Sequence, residues 1–162
     1  MDELPVHFLY PAAMWIEKQP HRVHTILGSC VAVCLYDSVL KIGGINHYML
    51  PYWNGQGLAS PKYGNIAIEK LVEKMLFFGC KKENLRAKVF GGGEVIETTF
   101  NQFQIGERNV KVAQEMLREH GIIIAGSSLS GKLGRKLEFN TQTGEVRMKF
   151  IEKQIFNSTK PK

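Results

Sequence analysis

Cysteine is scarce in this chain: Cys30, Cys34 and Cys80 are the only three in 162 residues. The number is odd, no C-x-x-C occurs, and no disulfide framework follows from it. Reduced thiols in a cytoplasmic protein are the expectation. Long apolar runs are missing as well, none approaching the roughly 20 residues of a membrane span. The start, Met1-Asp2-Glu3-Leu4-Pro5, lacks the apolar stretch of a signal peptide. Acidic residues are the minority, 15 against 21 Lys and Arg, for a net charge of +6. That sign favours acidic partners without bearing on fold. The basic residues are scattered, with Lys132, Arg135 and Lys136, then Lys160 and Lys162, the nearest to a cluster. A solvated surface is expected there rather than a nucleic-acid face. Repeats and low-complexity segments are also absent. The reading is one domain over 1–162, with 1–19 as an N-terminal extension and 157–162 as a frayed tail.

What remains is a chain of ordinary apolar content, 44%, with many short β-rich runs and two helical stripes. Val6 to Tyr10 reads as a short strand, and Pro11 to Pro20 as loop with a little irregular structure. Arg22 to Leu27 reads as extended, with Val23, Thr25 and Leu27 on one face. Val31 to Tyr36 is an apolar run ended by Asp37-Ser38. Leu40 to Leu50 is the next, interrupted by Gly43-Gly44 and stopped by Pro51. These three runs suggest a meander with Cys30 near the start of its middle strand. Ile68, Leu71, Val72, Met75 and Leu76 form one helical stripe, with Asn65 as N-cap and Gly79 at the C-terminal end. Ala87 to Phe90 is a strand running into three glycines. Val110, Ala113, Met116 and Leu117 mark a second helix from about 107 to 120. Ile122 to Ala125 reads as a buried strand, and 136–140 with 145–151 as a hairpin. Early strands joined by short turns argue for a mixed α/β or α+β layer fold rather than a doubly wound parallel sheet.

Two residues invite chemistry. Cys30 follows Gly28-Ser29, two small residues that let a substrate backbone approach. His47 lies on the next extended run, a spacing that suits two neighbouring antiparallel strands. A thiol beside an imidazole can serve as nucleophile and general base. Thr25 faces inward with Val23 and Leu27, and its hydroxyl can orient the second imidazole nitrogen. Each residue also has an ordinary reading: Cys30 as a small buried hydrophobe, His47 as a satisfied core histidine, Thr25 as a β-branched strand residue. Cys34 sits inside an apolar run and reads as core, and Cys80 as partly buried or at the surface. His21, His24, Cys30 and His47 do not repeat any zinc-like spacing. Gly91-Gly92-Gly93 lacks the G-x-x-x-x-G-K-[ST] pattern, so a close backbone approach or substrate-lining turn is expected. No metal or organic cofactor is expected.

Several motifs in order sharpen this reading. Leu27-Gly28-Ser29-Cys30-Val31 with Tyr36-Asp37, then Gly43-Gly44-Ile45-Asn46-His47-Tyr48-Met49-Leu50-Pro51, are the first. Lys88-Val89-Phe90-Gly91-Gly92-Gly93, Ile105-Gly106-Glu107-Arg108-Asn109 and Gly131-Lys132-Leu133-Gly134-Arg135-Lys136 follow. Over roughly residues 20 to 150 the chain resembles the CheD family of chemoreceptor glutamine deamidases. The resemblance implies a cysteine hydrolase that converts selected glutamines of methyl-accepting chemotaxis receptors to glutamate. It implies Cys30 as nucleophile and His47 as catalytic histidine, with a threonine as third member, Thr25 or the position of His24. Gly28 and Ser29 become candidates for substrate and oxyanion contacts. The implied fold is a mixed-sheet sandwich flanked by helices, similar to cytotoxic necrotizing factor catalytic domains. A CheC-type phosphatase is the implied partner, and glutamyl methyl esters are a second substrate class open to the same machinery.

Overall fold

The apolar run after Cys30 has no polar face, and a strand of that kind needs cover on both sides. A computed structural model, which describes residues 3–95 and 104–152, places it at the centre of a three-layer α/β/β arrangement. In chain order the elements are β1 (Val6–Phe8), β2 (Met14–Ile16), β3 (Arg22–Leu27), β4 (Val31–Asp37), β5 (Ile42–Asn46), α1 (Gly64–Phe77), β6 (Leu85–Gly91), α2 (Ile105–Glu119), β7 (Ile123–Leu129), β8 (Gly134–Asn140) and β9 (Val146–Ile151). A five-stranded sheet runs β2-β5-β4-β6-β7 and a four-stranded sheet runs β1-β3-β8-β9. Both are mixed: β1 with β3 and β6 with β7 are parallel pairs, the rest antiparallel. The expected mixed α+β sandwich with flanking helices is what the chain forms.

Strand β4 divides the interior by alternation. Val31, Val33 and Leu35 meet α1 and α2 through Ile68, Leu71, Val110 and Ala113. Ala32 and Cys34 meet Val23, Leu27, Leu137 and Phe139 of the facing sheet. Burying each large apolar side chain contributes about 1.5–3 kcal/mol. Both faces of β4 therefore anchor the molecule, and its end at Cys30 is fixed from two sides.

Several expectations need correction. The three early runs are not a meander. β4 pairs with β5 and β6, whereas β3 pairs with β1 and β8 in the other sheet. The short link Gly28–Cys30 carries the chain across the sandwich, so β3 faces the five-stranded sheet instead of extending it. The short strand expected from Val6 is β1, and β1 and β2 supply an edge strand to each sheet. Three residues carry no usable period, so the sequence of β2 reads as loop; its pairing with β5 makes it a strand.

Gly43-Gly44 does not interrupt β5. A Cβ at Gly43 would lie 2.9 Å from the Phe139 ring, and one at Gly44 would lie 2.7 Å from Ile16 and 3.0 Å from Leu71 and the Met75 sulfur. These glycines make room for packing. Asn65 is inside α1, not its cap, and its Oδ1 accepts from Trp53 N–H. Leu76 points outward. The strand read as buried at 122–125 is an edge: Ile122 is buried, but Ile123 and Ile124 are exposed on β7. Cys80 is buried. Arg135 is no part of a surface cluster, being buried and bonded to Ser128 Oγ and to the Ser130 and Gly91 carbonyls. Lys160, Lys162 and the 157–162 tail lie outside the described residues.

Candidate active site

Strand register brings Cys30 and His47 to one face. Cys34 pairs with Ile45, and the isolated bridge Val31–Tyr48 continues the same alignment. Ala32 then lies opposite His47, and Cys30 is its diagonal neighbour. Diagonal neighbours on one face have β-carbons within roughly 7–8 Å. Cys30, Ala32, Cys34, Ile45 and His47 all look toward the four-stranded sheet, whereas Tyr48 looks toward the helices.

Thr25 reaches this face from the opposite sheet. Its hydroxyl lies 2.7 Å from the Leu9 carbonyl and 2.7 Å from His47 Nδ1. A carbonyl can only accept, so the single hydroxyl proton goes to Leu9. The threonine oxygen must then accept from Nδ1–H. This fixes the tautomer: Nδ1 carries the proton and Nε2 is the bare base. Nε2 is buried and has no partner among the described residues. His24 turns the other way, 3.9 Å from Glu138, and His21 Nδ1 lies 2.9 Å from the Gln19 carbonyl.

Burial sets the protonation states. It lowers His47 from 6.5 to about 4, because the cationic ring loses water. It raises the Cys30 thiol, an effect its own backbone N–H partly offsets. Both shifts favour the uncharged forms, the thiol of Cys30 and the neutral imidazole of His47.

The Gly28–Cys30 turn is braced from behind. Gly28 O accepts from Gly93 N–H at 3.0 Å, and Cys30 O accepts from Gly92 N–H at 2.9 Å. A Cβ on Gly91, whose φ is +113°, would sit 2.2 Å from Cys30 O. The three glycines are thus a close backbone approach, as their lack of a phosphate-loop pattern suggested. Ser29 O accepts from Asn109 Nδ2 at 3.0 Å, and the same nitrogen donates to Met49 O at 3.0 Å. Asn109 was not singled out as a site residue. The signal that could have found it is a polar residue inside the apolar stripe of α2, beside Val110 and four before Ala113.

Comparison with known proteins identifies the family. The family model described as CheD chemotactic sensory transduction matches residues 49–150. A Trichlorobacter lovleyi protein named "Probable chemoreceptor glutamine deamidase CheD" is 49% identical over 140 residues, covering 86% of this chain and 87% of that one. A Sulfurimonas denitrificans protein of the same name is 44% identical over 150 residues, 92% and 96% of the two chains. That second match is too long to leave out residues 25–47. A crystal structure of a Neisseria meningitidis protein of family model DUF152 overlaps at TM-score 0.45 with 12% identity, over 79% of this chain and 63% of that one. On the family match and these identities, the chain belongs to the CheD family.

Proposed function

We propose that this protein hydrolyses the side-chain amide of selected glutamines on methyl-accepting chemotaxis receptors, leaving glutamate. The observation that carries the reading is the His47 ring: Thr25 fixes its tautomer, and its Nε2, without a partner among the described residues, shares a sheet face with Cys30. The names of the relatives supply the substrate class.

His47 Nε2 takes the Cys30 proton as sulfur attacks the amide carbon, which activates a thiol that rests neutral. The carbonyl oxygen becomes an oxyanion held by backbone N–H groups of the Gly28–Cys30 turn, each such donor contributing about 10²–10³ in rate. The imidazolium gives its proton to the departing nitrogen, ammonia leaves, and a thioester remains. Water then loses a proton to Nε2, adds to the thioester, and releases glutamate as the thiol is restored. The scheme needs no metal and no organic cofactor. A glutamyl methyl ester fits it equally, with methanol leaving. The CheC-type phosphatase partner belongs to the same proposal and rests on the family resemblance.

The test is mass spectrometry of a receptor cytoplasmic fragment after incubation with the protein. Each converted glutamine gains about one dalton, and Cys30→Ala abolishes the gain. An unchanged fragment with the cognate receptor overturns the reading. A pull-down of the phosphatase that persists in Cys30→Ala, with normal signalling by that variant, would favour a binding module instead.

A further inference from the structure

We propose that Asn109 is a positioning residue that aims the Cys30 N–H at the developing oxyanion. The inference rests on the cysteine-hydrolase reading above. Three consecutive carbonyls, those of Gly28, Ser29 and Cys30, are each held from one side. The outer two are taken by main-chain N–H groups of Gly93 and Gly92. The middle one is taken by a side chain, Asn109 Nδ2. A trans peptide is planar, so its N–H points opposite to its C=O. Holding Ser29 O toward α2 therefore turns the Cys30 N–H away from α2. Among the described residues that N–H meets no acceptor except the Cys30 sulfur. Among the described residues no carbonyl or side-chain oxygen competes with a substrate oxygen for it.

The residue type follows from the donor count. One amide nitrogen carries two N–H bonds, and here they go to Ser29 O and Met49 O. The same side chain thus ties the nucleophile peptide to the chain two residues beyond His47. A flipped amide would put Oδ1 against two carbonyls, so the orientation is set even though Oδ1 has no partner. The backbone of Asn109 is fixed as well. Tyr48 Oη–H donates to its carbonyl. A Cβ on Gly106 would fall 2.4 Å from Gly92 O and 2.7 Å from Gly93 O, so α2 is seated directly on the glycine turn.

A brace and an oxyanion aligner differ in which reaction they affect. Alkylation of Cys30 by iodoacetamide is a displacement at carbon in which no carbonyl oxygen gains charge. Acylation by p-nitrophenyl acetate forms the S–C bond through a tetrahedral oxyanion and expels p-nitrophenolate, with the thiol proton passing to His47. Both rates are followed at Cys30 by mass spectrometry, with Cys30→Ala as blank. In Asn109→Ala, and in Asn109→Asp, which keeps the shape but has no donor, acylation is expected to fall about 10²-fold. Alkylation and its pH midpoint should stay near wild type. Parallel loss of both rates, loss of neither, or a wild type that is not acylated overturns the proposal. Should both variants fail to fold, the wild type still decides. On forming a hemithioacetal with a peptide aldehyde, its Cys30 amide proton should move downfield, and a static resonance overturns the assignment. Because these probes are not receptors, intact receptor glutamines alongside selective acylation would sink the receptor reading and leave Asn109 standing.

Discussion

Cys30 and Cys34 stand on the same face of the same strand line, one turn of the pleat apart from Ala32 on either side. Cys34 lies opposite Ile45 inside the sandwich, fully enclosed, and burial pushes its thiol far above the ordinary range despite Lys88 nearby. Cys30 lies just before the strand begins, half-buried, diagonal to an imidazole whose Nε2 has no hydrogen-bond partner among the described residues. The residue type is the same, and both lie on one chain line, Cys34 inside β4 and Cys30 immediately before it. What differs is depth in the interior and the nearness of an imidazole, and on the proposed mechanism these set Cys30 apart as the reactive thiol.

The largest expected effect breaks this pair apart. Cys30→Ala should lower deamidation at least about 10⁴-fold, whereas Cys34→Ala should leave kcat within about threefold; receptor-fragment mass spectrometry measures both. Equal losses would show that the two thiols were wrongly separated. His47→Gln comes next, with a loss of about 10²–10⁴. In the wild type the acid limb of kcat/KM should lie near pH 4, following the lowered imidazole, and not near 6.5. The same ring links stability to pH. Its folded value lies below its unfolded one, so its contribution is complete above about pH 6.5 and is lost as pH falls through about 4. Urea titrations should show about 3 kcal/mol lost across that window, and a flatter profile in His47→Gln.

Thr25→Val should be milder. It removes the acceptor for Nδ1–H and leaves Leu9 O unpaired, costing about 1–3 kcal/mol of stability. Lost ring orientation should reduce kcat about 10–10²-fold, with KM little changed. His24→Ala, on the outer face beside Glu138, should leave kcat near wild type and so separates the two neighbours. The smallest effect sharpens the original contrast. Iodoacetamide should label Cys30 in the native protein and reach Cys34 and Cys80 only after unfolding, as peptide mapping would show.

The inward face of β3 was readable because Val23, Thr25 and Leu27 alternate with Arg22, His24 and Ile26, and α1 and α2 because their apolar positions recur at helical spacing. The partners of β3 were not readable. A link as short as Gly28–Cys30 serves a turn within a sheet or a crossing between sheets equally well, and only the packing of Phe139, Leu137 and Leu27 against β4 selects the second. β7 looked buried for a related reason: three isoleucines signal a strand but not its place in the sheet, and an edge position leaves Ile123 and Ile124 in water.

For the site, the sequence by itself determined the residue types: a thiol after two small residues, an imidazole on the following run, a hydroxyl on an inward face. Local chain geometry is enough to set the β4–β5 pairing that brings Cys30 and His47 to one side, since a short antiparallel connection fixes register. The tertiary structure alone decided the rest. It brought Thr25 across the sandwich to fix the His47 tautomer, seated α2 so that Asn109 holds Ser29 O, and withheld water from the ring. Those contacts join residues distant along the chain, and hydrogen-bond direction and desolvation depend on what surrounds an atom, which no linear pattern records.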